Sequence, residues 1–361
     1  MNKRDRFWSS NVKKLVPYVP GEQPKNGTFI KLNTNENPYG PSPAVVNAIK
    51  SYPADRLRLY PDPGNQMLRN KLALHYQLDQ SEIFVGNGSD EILAFAFFAF
   101  FTGRKQAGDS LIRFCDVTYS FYPVYAQLFD ISYEMIRLDP SFQINTRDIP
   151  ADGDGLVIAN PNAPTGIAVT TAEIEQLLQA NTDRLVLVDE AYVDFGAESC
   201  VKLLREYDNL LIVQTFSKSR SLAGLRAGFA MGSEALIDAL QRTRDSFNSY
   251  TVNSITQAAA LAAMDSPAWF EQTRSDIIKT REWTSAAMEK LGFKLTDSAA
   301  NFLFATHNKY SAEEIYAYLR KNGILVRHFK LSRISNYLRI TIGREDHMKT
   351  FIQCLQAFVT S

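Results

Sequence analysis

The sequence has no excess of charge of either sign, because lysine and arginine total 39 and aspartate and glutamate also total 39. Nucleic acids and anionic membranes attract proteins through basic surfaces, so this balance argues against either as the main partner. It leaves room for a local basic pocket that binds a small phosphorylated molecule. The content of 45% hydrophobic and 22% charged residues is that of an ordinary globular protein.

Cysteine and histidine are scarce and show no metal-ligand spacing (Cys115, Cys200, Cys354, His75, His307, His328, His347). We therefore expect reduced thiols and no metal site. Long apolar runs are also lacking: Ile92–Phe101 is too short to span a bilayer and predicts a fully buried helix. No apolar segment follows the charged residues 1–6, so we expect no secretory signal and a cytoplasmic location.

The chain contains an alternation of short apolar runs and helical segments, which indicates a mostly parallel sheet covered on both faces. We predict an arm over 1–43, a large α/β domain over 44–270 and a smaller α/β domain over 271–361. Long helices fill 236–291. The predicted strands are Glu82–Val85, Ser110–Phe114, Ser132–Arg137, Leu156–Ala159, Leu185–Val188, Leu210–Val213, Gly228–Met231, Asn301–Ala305, Ile324–Arg327 and Tyr337–Ile342.

Several candidate functional residues follow predicted strands, and open parallel sheets bind ligands beyond the carboxyl ends of their strands. Lys218 follows one strand, and Arg226 comes eight residues later with small residues between. A lysine amine forms an imine with an aldehyde, and an arginine holds a phosphate by charge-assisted hydrogen bonds. Asp189 ends another strand and could pair with a protonated ring nitrogen. Together these residues suggest pyridoxal phosphate chemistry.

Each of these residues also has a plainer explanation when taken alone. An isolated lysine is usually a solvated charge, and an aspartate at a strand end often caps a helix. Tyr192 could donate to a phenolic oxygen of the cofactor, or it could be a core or rim residue. Gly88 and Ser89 open a helix, where they could act as an N-cap or could cradle a phosphate with backbone N–H groups.

Taken together, the motifs resemble those of the fold-type I aminotransferases and, within them, the histidinol-phosphate aminotransferases. They run in order over the whole chain as Leu32–Pro41, Tyr60–Asp62, Asn160–Gly166, Asp189–Tyr192, Ser217–Gly228 and Leu338–Gly343. The resemblance implies a mostly parallel seven-stranded sheet between helices, a smaller C-terminal domain and pyridoxal 5'-phosphate as cofactor. It also implies a homodimer that converts L-histidinol phosphate and 2-oxoglutarate to imidazole acetol phosphate and glutamate in histidine biosynthesis.

The resemblance implies a role for each matching residue. Lys218 would form the imine and move the proton between substrate and cofactor, while Asp189 and Tyr192 would contact the ring nitrogen and the ring hydroxyl. Other implied contacts are Tyr119 on the ring face, Asn162 on the cofactor, Gly88, Ser89, Ser217 and Arg226 on the phosphate, Tyr60 on the partner subunit's phosphate, and Asn35, Arg327 and Arg339 on the substrate.

One position departs from the family pattern. Ala163 stands where the family usually has an asparagine that donates to the ring hydroxyl oxygen. Either Asn162 replaces that donor or Tyr192 acts with less help, and losing the donor would raise the pKa of the imine. The resemblance also makes the bond from Ala163 to Pro164 a candidate cis peptide.

Other functions stay open on the sequence alone. An aromatic amino acid aminotransferase would use the same scaffold, since Arg339 suits a carboxylate as well as a phosphate. A pyridoxal-phosphate-dependent decarboxylase of a phosphorylated amino acid would share the motifs but would need no 2-oxoglutarate. A regulatory module without turnover would carry a basic helix-turn-helix segment, and residues 1–43 lack that pattern.

Overall fold

The computed structural model describes residues 5–18, 21–23, 29–103, 111–150 and 152–360, so Ser110 and parts of the predicted arm lie outside the described residues. The strands in these ranges are β1 (Ile30–Leu32), β2 (Ile83–Gly86), β3 (Leu111–Cys115), β4 (Ser132–Ile136), β5 (Gly155–Ala159), β6 (Leu185–Asp189), β7 (Leu210–Thr215), β8 (Gly228–Gly232), β9 (Phe293–Leu295), β10 (Phe302–His307), β11 (Ile324–His328) and β12 (Leu338–Thr341).

The α-helices in the same ranges are α1 (Ser10–Lys14), α2 (Pro43–Lys50), α3 (Gln66–Tyr76), α4 (Ser89–Phe101), α5 (Tyr122–Leu128), α6 (Thr171–Ala180), α7 (Glu234–Phe247), α8 (Ser254–Met264), α9 (Pro267–Lys290), α10 (Ala312–Lys321) and α11 (Glu345–Thr360). Short 3-10 helices cover Ala54–Arg58, Gln80–Glu82, Thr146–Asp148, Val193–Phe195, Cys200–Arg205, Ala223–Leu225 and Ser332–Ile334. Within the described residues, none of the helices has both the length and the apolar character needed to cross a membrane.

Seven strands form the large sheet, in the order β2-β8-β7-β6-β5-β3-β4. The strands from β7 to β4 pair in parallel, and every residue of β5, β6 and β7 is buried because helices cover both faces. The predicted, mostly parallel seven-stranded sheet is therefore confirmed. Strand β8 is antiparallel to both of its neighbours, a direction that an apolar run cannot reveal.

Helix α4 is the phenylalanine-rich segment that the sequence predicts to be buried. Its side chains Phe97 and Phe101 are completely buried, while Phe98 is half exposed. A helix that is apolar on nearly all sides needs partners on nearly all sides, and α4 packs between the large sheet, α5 and α7. This packing fixes its N-terminus at Ser89 beside the ends of the sheet strands.

A second sheet has the order β1-β11-β12-β10-β9. Strand β1 lies in the predicted arm and pairs in parallel with β11, whereas the other pairs are antiparallel. Both β1 and β9 escape sequence analysis because each has only three residues, too few to show an alternating pattern. The boundary predicted at 270–271 falls in the first turn of α9, and the division into domains stays a prediction.

Residues 33–37 connect the two sheets around the candidate site. The Asn37 side chain donates to the carbonyls of Lys218 and Ser219 at 2.9 and 3.2 Å. The carbonyl of Asn33 accepts a hydrogen bond from Arg339 Nη2 at 3.0 Å, and Arg339 lies on β12. This stretch therefore links the loop after β7 in the large sheet to β12 in the second sheet.

Candidate active site

A pocket opens where β5, β6 and β7 end, at the sheet edge where the sequence predicts a ligand. It holds about 520 Å³ of space not filled by protein atoms, part of it open to solvent. Its walls bring together predicted residues from five separate stretches of the chain. The lining residues are Ser89, Asp90, Tyr119, Ala159, Pro161, Ala163, Asp189, Ala191, Tyr192, Thr215, Ser217, Lys218 and Arg226.

Lys218 lies in the loop that follows β7 and carries the amine of this pocket. Its Nζ is 5.5 Å from the centroid of the Tyr192 ring. The loop is held through its backbone, because Asn37 binds the carbonyls of Lys218 and Ser219. Anchoring the backbone in this way leaves the lysine side chain at the pocket wall, where a nucleophilic amine can meet a ligand.

Asp189 is a buried carboxylate at the end of β6. Tyr122 Oη donates to it at 2.9 Å and the Ala191 backbone N–H donates at 3.1 Å. Burial raises the pKa of Asp189 to about 6, although these two hydrogen bonds oppose the shift. Among the described residues it forms no ion pair with a lysine or arginine. A cationic ring nitrogen would supply the missing positive charge.

The opposite end of the pocket is a cradle of donors. A side chain at Gly88 would begin 2.6 Å from Arg226 Nη2, and one at Gly228 would begin 2.6 Å from the Ser89 nitrogen. Glycine at position 88 therefore leaves room for the guanidinium, and glycine at position 228 lets the backbone of β8 approach the N-terminus of α4. Arg226 Nη2 lies 2.6 Å from an Asp90 carboxylate oxygen. Backbone N–H groups at a helix N-terminus beside an arginine suit a phosphate.

Arg339 is a partly buried arginine on β12, and it has no carboxylate partner among the described residues. Its Nη2 donates to the Asn33 carbonyl at 3.0 Å, whereas its buried Nε has no hydrogen-bond partner. The group lies 5.5 and 5.8 Å from the ring centroids of Phe302 and Phe329. Burial lowers the pKa of Arg339. Such a charge, with an N–H left over, is ready to receive an anion.

The side chains around Ala163 point in different directions. Ala163 itself lines the pocket, but the Asn162 amide donates to the Val117 carbonyl at 2.8 Å and to Thr165 Oγ1 at 3.0 Å. Its oxygen accepts from Thr118 Oγ1 at 2.8 Å. The amide is thus fully engaged away from the pocket. The bonds Asn160–Pro161 and Ala163–Pro164 are both cis.

Six predicted site residues lie outside the pocket lining, namely Arg339, Asn162 and the four that follow. Tyr60 is 82% exposed and stacks on Tyr250, with 4.5 Å between the ring centroids. Asn35 is buried and donates to Tyr192 Oη at 2.9 Å. Arg327 lies near enough to Arg339 for its charge to help lower the Arg339 pKa. Gly88 takes part through the space that it leaves for Arg226.

Sequence reasoning missed several residues that shape the site. Tyr122 holds Asp189, and Asp90 accepts from Tyr119 Oη at 2.7 Å while it pairs with Arg226. Tyr18 packs against Phe121 with the two rings tilted and 4.5 Å between their centroids, and it lies near enough to Arg339 to influence its pKa. Tyr122 comes three residues after Tyr119, a spacing that places both side chains on one side of a turn, so this signal was available. The position of Tyr18 depends on tertiary structure alone.

A parallel-rich sheet with a lysine, a buried aspartate and a phosphate cradle at its carboxyl edge defines an enzyme of the fold-type I aminotransferase class. Residues 27–355 match the family model described as aminotransferase class I and II. The chain therefore belongs to this family, whose members depend on pyridoxal phosphate.

Individual relatives and solved structures within this family show which members the chain is similar to. It is 48% identical over 354 residues to a histidinol-phosphate aminotransferase from Clostridium botulinum (strain Langeland), covering 98% of this chain and 99% of that protein. It is 50% identical over 347 residues to one from Clostridium acetobutylicum, covering 96% and 97%. The fold matches that of histidinol-phosphate aminotransferase from Sinorhizobium meliloti in complex with pyridoxal-5'-phosphate, with a TM-score of 0.88, 22% identity and 98% of each chain covered.

Proposed function

We propose that this protein is a pyridoxal-phosphate-dependent aminotransferase that transfers the amino group of L-histidinol phosphate to 2-oxoglutarate. The products would be imidazole acetol phosphate and glutamate. Relatives of nearly equal length and about half identical sequence support this substrate, since both carry the name histidinol-phosphate aminotransferase. Within the molecule, the observation that carries the proposal is Arg339, a partly buried cation whose buried Nε has no hydrogen-bond partner and which has no carboxylate partner among the described residues.

The reasoning from Arg339 is electrostatic. An uncompensated buried charge costs stability, so a site that keeps one gains from it only when an anion binds. Tyr192 and Tyr119 both line the pocket and both lie near enough to Arg339 to influence its pKa, which supports a location for this cation beside the cavity that holds Lys218. A phosphorylated amine could therefore reach Lys218 with one end while its anionic end binds Arg339.

The residues of the pocket fit pyridoxal phosphate. The N-terminus of α4, Ser217 and Arg226 would hold the phosphate, and the carboxylate of Asp189 would keep the ring nitrogen protonated. Tyr119 would face the ring. When bound, the cofactor supplies an aldehyde that bonds to amines and a cationic ring that draws electrons from the substrate α-carbon.

Two side chains would act directly on protons. Lys218 would remove the proton from the substrate α-carbon after the substrate amine has taken its place. It would return the proton at a later step of the reaction. Tyr192 would donate a hydrogen bond from its phenolic O–H to the ring oxygen of the cofactor. Because the pocket wall that carries Lys218 and Tyr192 is partly buried, it would exclude water from the substrate α-carbon.

We also propose a homodimer in which Tyr60 completes the partner subunit's phosphate site. Tyr60 is 82% exposed and absent from the lining of its own pocket. Other large apolar side chains on the same stretch and its neighbours are exposed too, including Leu57, Leu59, Met67, Leu74 and Phe247. A second copy that covers this surface would remove a large apolar area from water.

The visible spectrum of the purified, cofactor-loaded protein tests the proposal. Addition of L-histidinol phosphate alone should convert the absorption of the aldehyde form to that of the amine form, and 2-oxoglutarate should restore it. A band that responds only to phenylalanine or tyrosine would make the protein an aromatic aminotransferase. Turnover without any oxo acid would indicate a decarboxylase, and absence of a cofactor band would contradict the proposal as a whole.

A further inference from the structure

Asn35 is a buried asparagine that contacts the active-site tyrosine without lining the pocket. Only 1% of its surface is exposed. Its side-chain Nδ2 donates to Tyr192 Oη at 2.9 Å. Its backbone carbonyl accepts from Asn301 Nδ2 at 3.1 Å. Its φ of 55° lies in the left-handed region, which asparagine tolerates better than most residues. The backbone and the side chain are therefore both fixed in place.

The orientation of the Asn35 amide follows from its contacts with Thr341. The backbone N–H of Asn35 donates to Thr341 Oγ1 at 2.9 Å. The hydroxyl proton of Thr341 is therefore available to the Asn35 side chain, where it meets Oδ1 at 3.1 Å. With the amide oxygen facing this hydroxyl, the amide nitrogen is the atom that faces Tyr192.

This orientation decides where the Tyr192 proton goes. A phenol has one proton and can accept two hydrogen bonds, and Asn35 occupies one acceptor position. The phenolic proton is thereby directed away from Asn35. A phenol that accepts one hydrogen bond also donates more strongly, because linked hydrogen bonds polarise one another. On the neighbouring wall, Ala163 and Ala191 offer no side-chain donor.

We propose that Asn35 is a positioning residue that orients Tyr192 as the hydrogen-bond donor to the ring oxygen of the cofactor, which compensates for the alanine at position 163. The inference rests on the proposed function. It replaces the sequence-based expectation that Asn35 contacts the substrate, and it explains how the site works although Asn162 points elsewhere. Asn35 acts through Tyr192, whereas Tyr192 contacts the ligand itself.

Charged groups around Tyr192 set the background of the test. Lys218 Nζ lies 5.5 Å from the Tyr192 ring centroid, and Tyr192 interacts electrostatically with Arg339 and Tyr119. Asp189 ends the strand that precedes the Tyr192 turn. Substitutions at position 35 should therefore be neutral, so that they change the hydrogen bond and leave these charges untouched.

The experiment is a double-mutant cycle that follows the visible absorption of the bound cofactor against pH. A donor to the ring oxygen favours the deprotonated form of the bound cofactor, because that form carries more negative charge on the oxygen. Tyr192→Phe should raise the midpoint by roughly one pH unit, the size expected for a hydrogen bond to a charged group. Asn35→Gly, which tolerates the left-handed φ, should raise it by about half as much.

The coupling between the two changes separates positioning from general structural damage. If Asn35 acts through Tyr192, Asn35→Gly should shift nothing further in the Tyr192→Phe background. Thr341→Val removes the hydroxyl that orients the amide and should give a smaller shift in the same direction, which preserves the test if Asn35→Gly folds poorly. Asn181→Ala is the matched control: Asn181 is buried and donates to the Leu177 carbonyl, so its loss should lower the melting temperature without moving the midpoint.

Each outcome decides a separate question. An equal shift of Asn35→Gly in both backgrounds, or no shift when Asn35 alone is changed, would overturn the inference and leave the proposed function standing. A midpoint that Tyr192→Phe does not move would also overturn it. A wild-type protein without any visible cofactor band would instead overturn the proposed function.

Discussion

The two ends of the candidate site handle charge in opposite ways. At the cofactor end, Arg226 is paired with Asp90, which also accepts a hydrogen bond from Tyr119. At the substrate end, Arg339 is partly buried without a carboxylate partner among the described residues, and its buried Nε is unpaired. The cofactor end is therefore organised before anything binds, whereas the substrate end stays electrostatically incomplete until an anion arrives. The difference suggests that affinity for the substrate anion is gained at the expense of stability.

The largest expected effect comes from the amine between these two ends. Lys218→Ala should lower kcat by more than about 10³-fold, because both the nucleophile and the base are removed. Fold and thermal stability should change little, since the loop is held through its backbone. Stopped-flow kinetics and circular dichroism would measure both. Lys202→Ala, an exposed lysine on a neighbouring segment, serves as the control and should keep full activity.

Arg339→Met tests the incomplete end of the site directly. We expect kcat/KM for L-histidinol phosphate to fall by about 10²-fold, since the partner of the substrate anion is lost. The free energy of unfolding should rise by about 1 kcal/mol, because a partly buried charge without a carboxylate partner is replaced by an apolar side chain. Steady-state kinetics and denaturant titration would measure the two changes.

Arg281 provides a matched contrast for that stability measurement. It is buried, whereas Arg339 is partly buried, and it donates to two carbonyls, those of Phe195 and Ala300, at 2.8 and 2.7 Å. Arg281→Met should therefore lower the free energy of unfolding by about 2 kcal/mol, because those two buried acceptors lose their donor. If both arginine substitutions destabilise the protein equally, the contrast between an arginine held by two carbonyl acceptors and one whose Nε is unsatisfied is wrong.

Asp189→Asn tests the cofactor end of the site through the pH dependence of protein stability. Burial raises the pKa of Asp189 to about 6 from the ordinary 3.8, so its contribution to stability is complete below about pH 3.8 and is lost as the pH rises through about 6. In the cofactor-free protein, Asp189→Asn should therefore be more stable than wild type above pH 6, by about 3 kcal/mol. This advantage should vanish below pH 4. Thermal unfolding across pH 3.5–8 checks it, and an advantage that is constant with pH would contradict the assignment.

The smallest effect concerns the partner subunit. Tyr60→Phe should weaken pyridoxal phosphate binding by about fivefold, the loss of one hydrogen bond to a phosphate, and should leave the dimer intact. Equilibrium dialysis and analytical ultracentrifugation would report affinity and assembly. Tyr52→Phe is the matched control on a nearby segment. An unchanged cofactor affinity in Tyr60→Phe would argue against a contact across the interface.

The sequence predicts more of the fold than of the site. Apolar runs such as Leu185–Asp189 and Leu210–Thr215 reveal buried strands because burial on both faces demands continuous hydrophobicity. The direction of β8 and the short strand β1 leave no such signal. Within the site, Lys218 and Arg226 stand out because they follow a strand at a recognisable spacing.

The contacts between side chains far apart in sequence could not be predicted in the same way. The hydrogen bond from Asn35 to Tyr192 joins residues 157 positions apart, and its existence depends on how two sheets meet. Asn162 illustrates the reverse case: its position in the motif suggests a cofactor contact, but neighbouring polar atoms at Val117 and Thr118 capture its amide. Which partner a side-chain amide binds depends on the polar atoms that surround it in the folded protein, and these atoms cannot be identified from the motif.

The most direct test of the central claim compares L-histidinol phosphate with L-histidinol, which lacks the phosphate, on wild-type protein and on Arg339→Met. The account predicts that the wild-type enzyme prefers the phosphorylated substrate by about 10²-fold in kcat/KM, and that Arg339→Met loses nearly all of this preference. If Arg339→Met slows both substrates by the same factor, Arg339 is not the anion site and the contrast between the two ends of the pocket does not explain specificity.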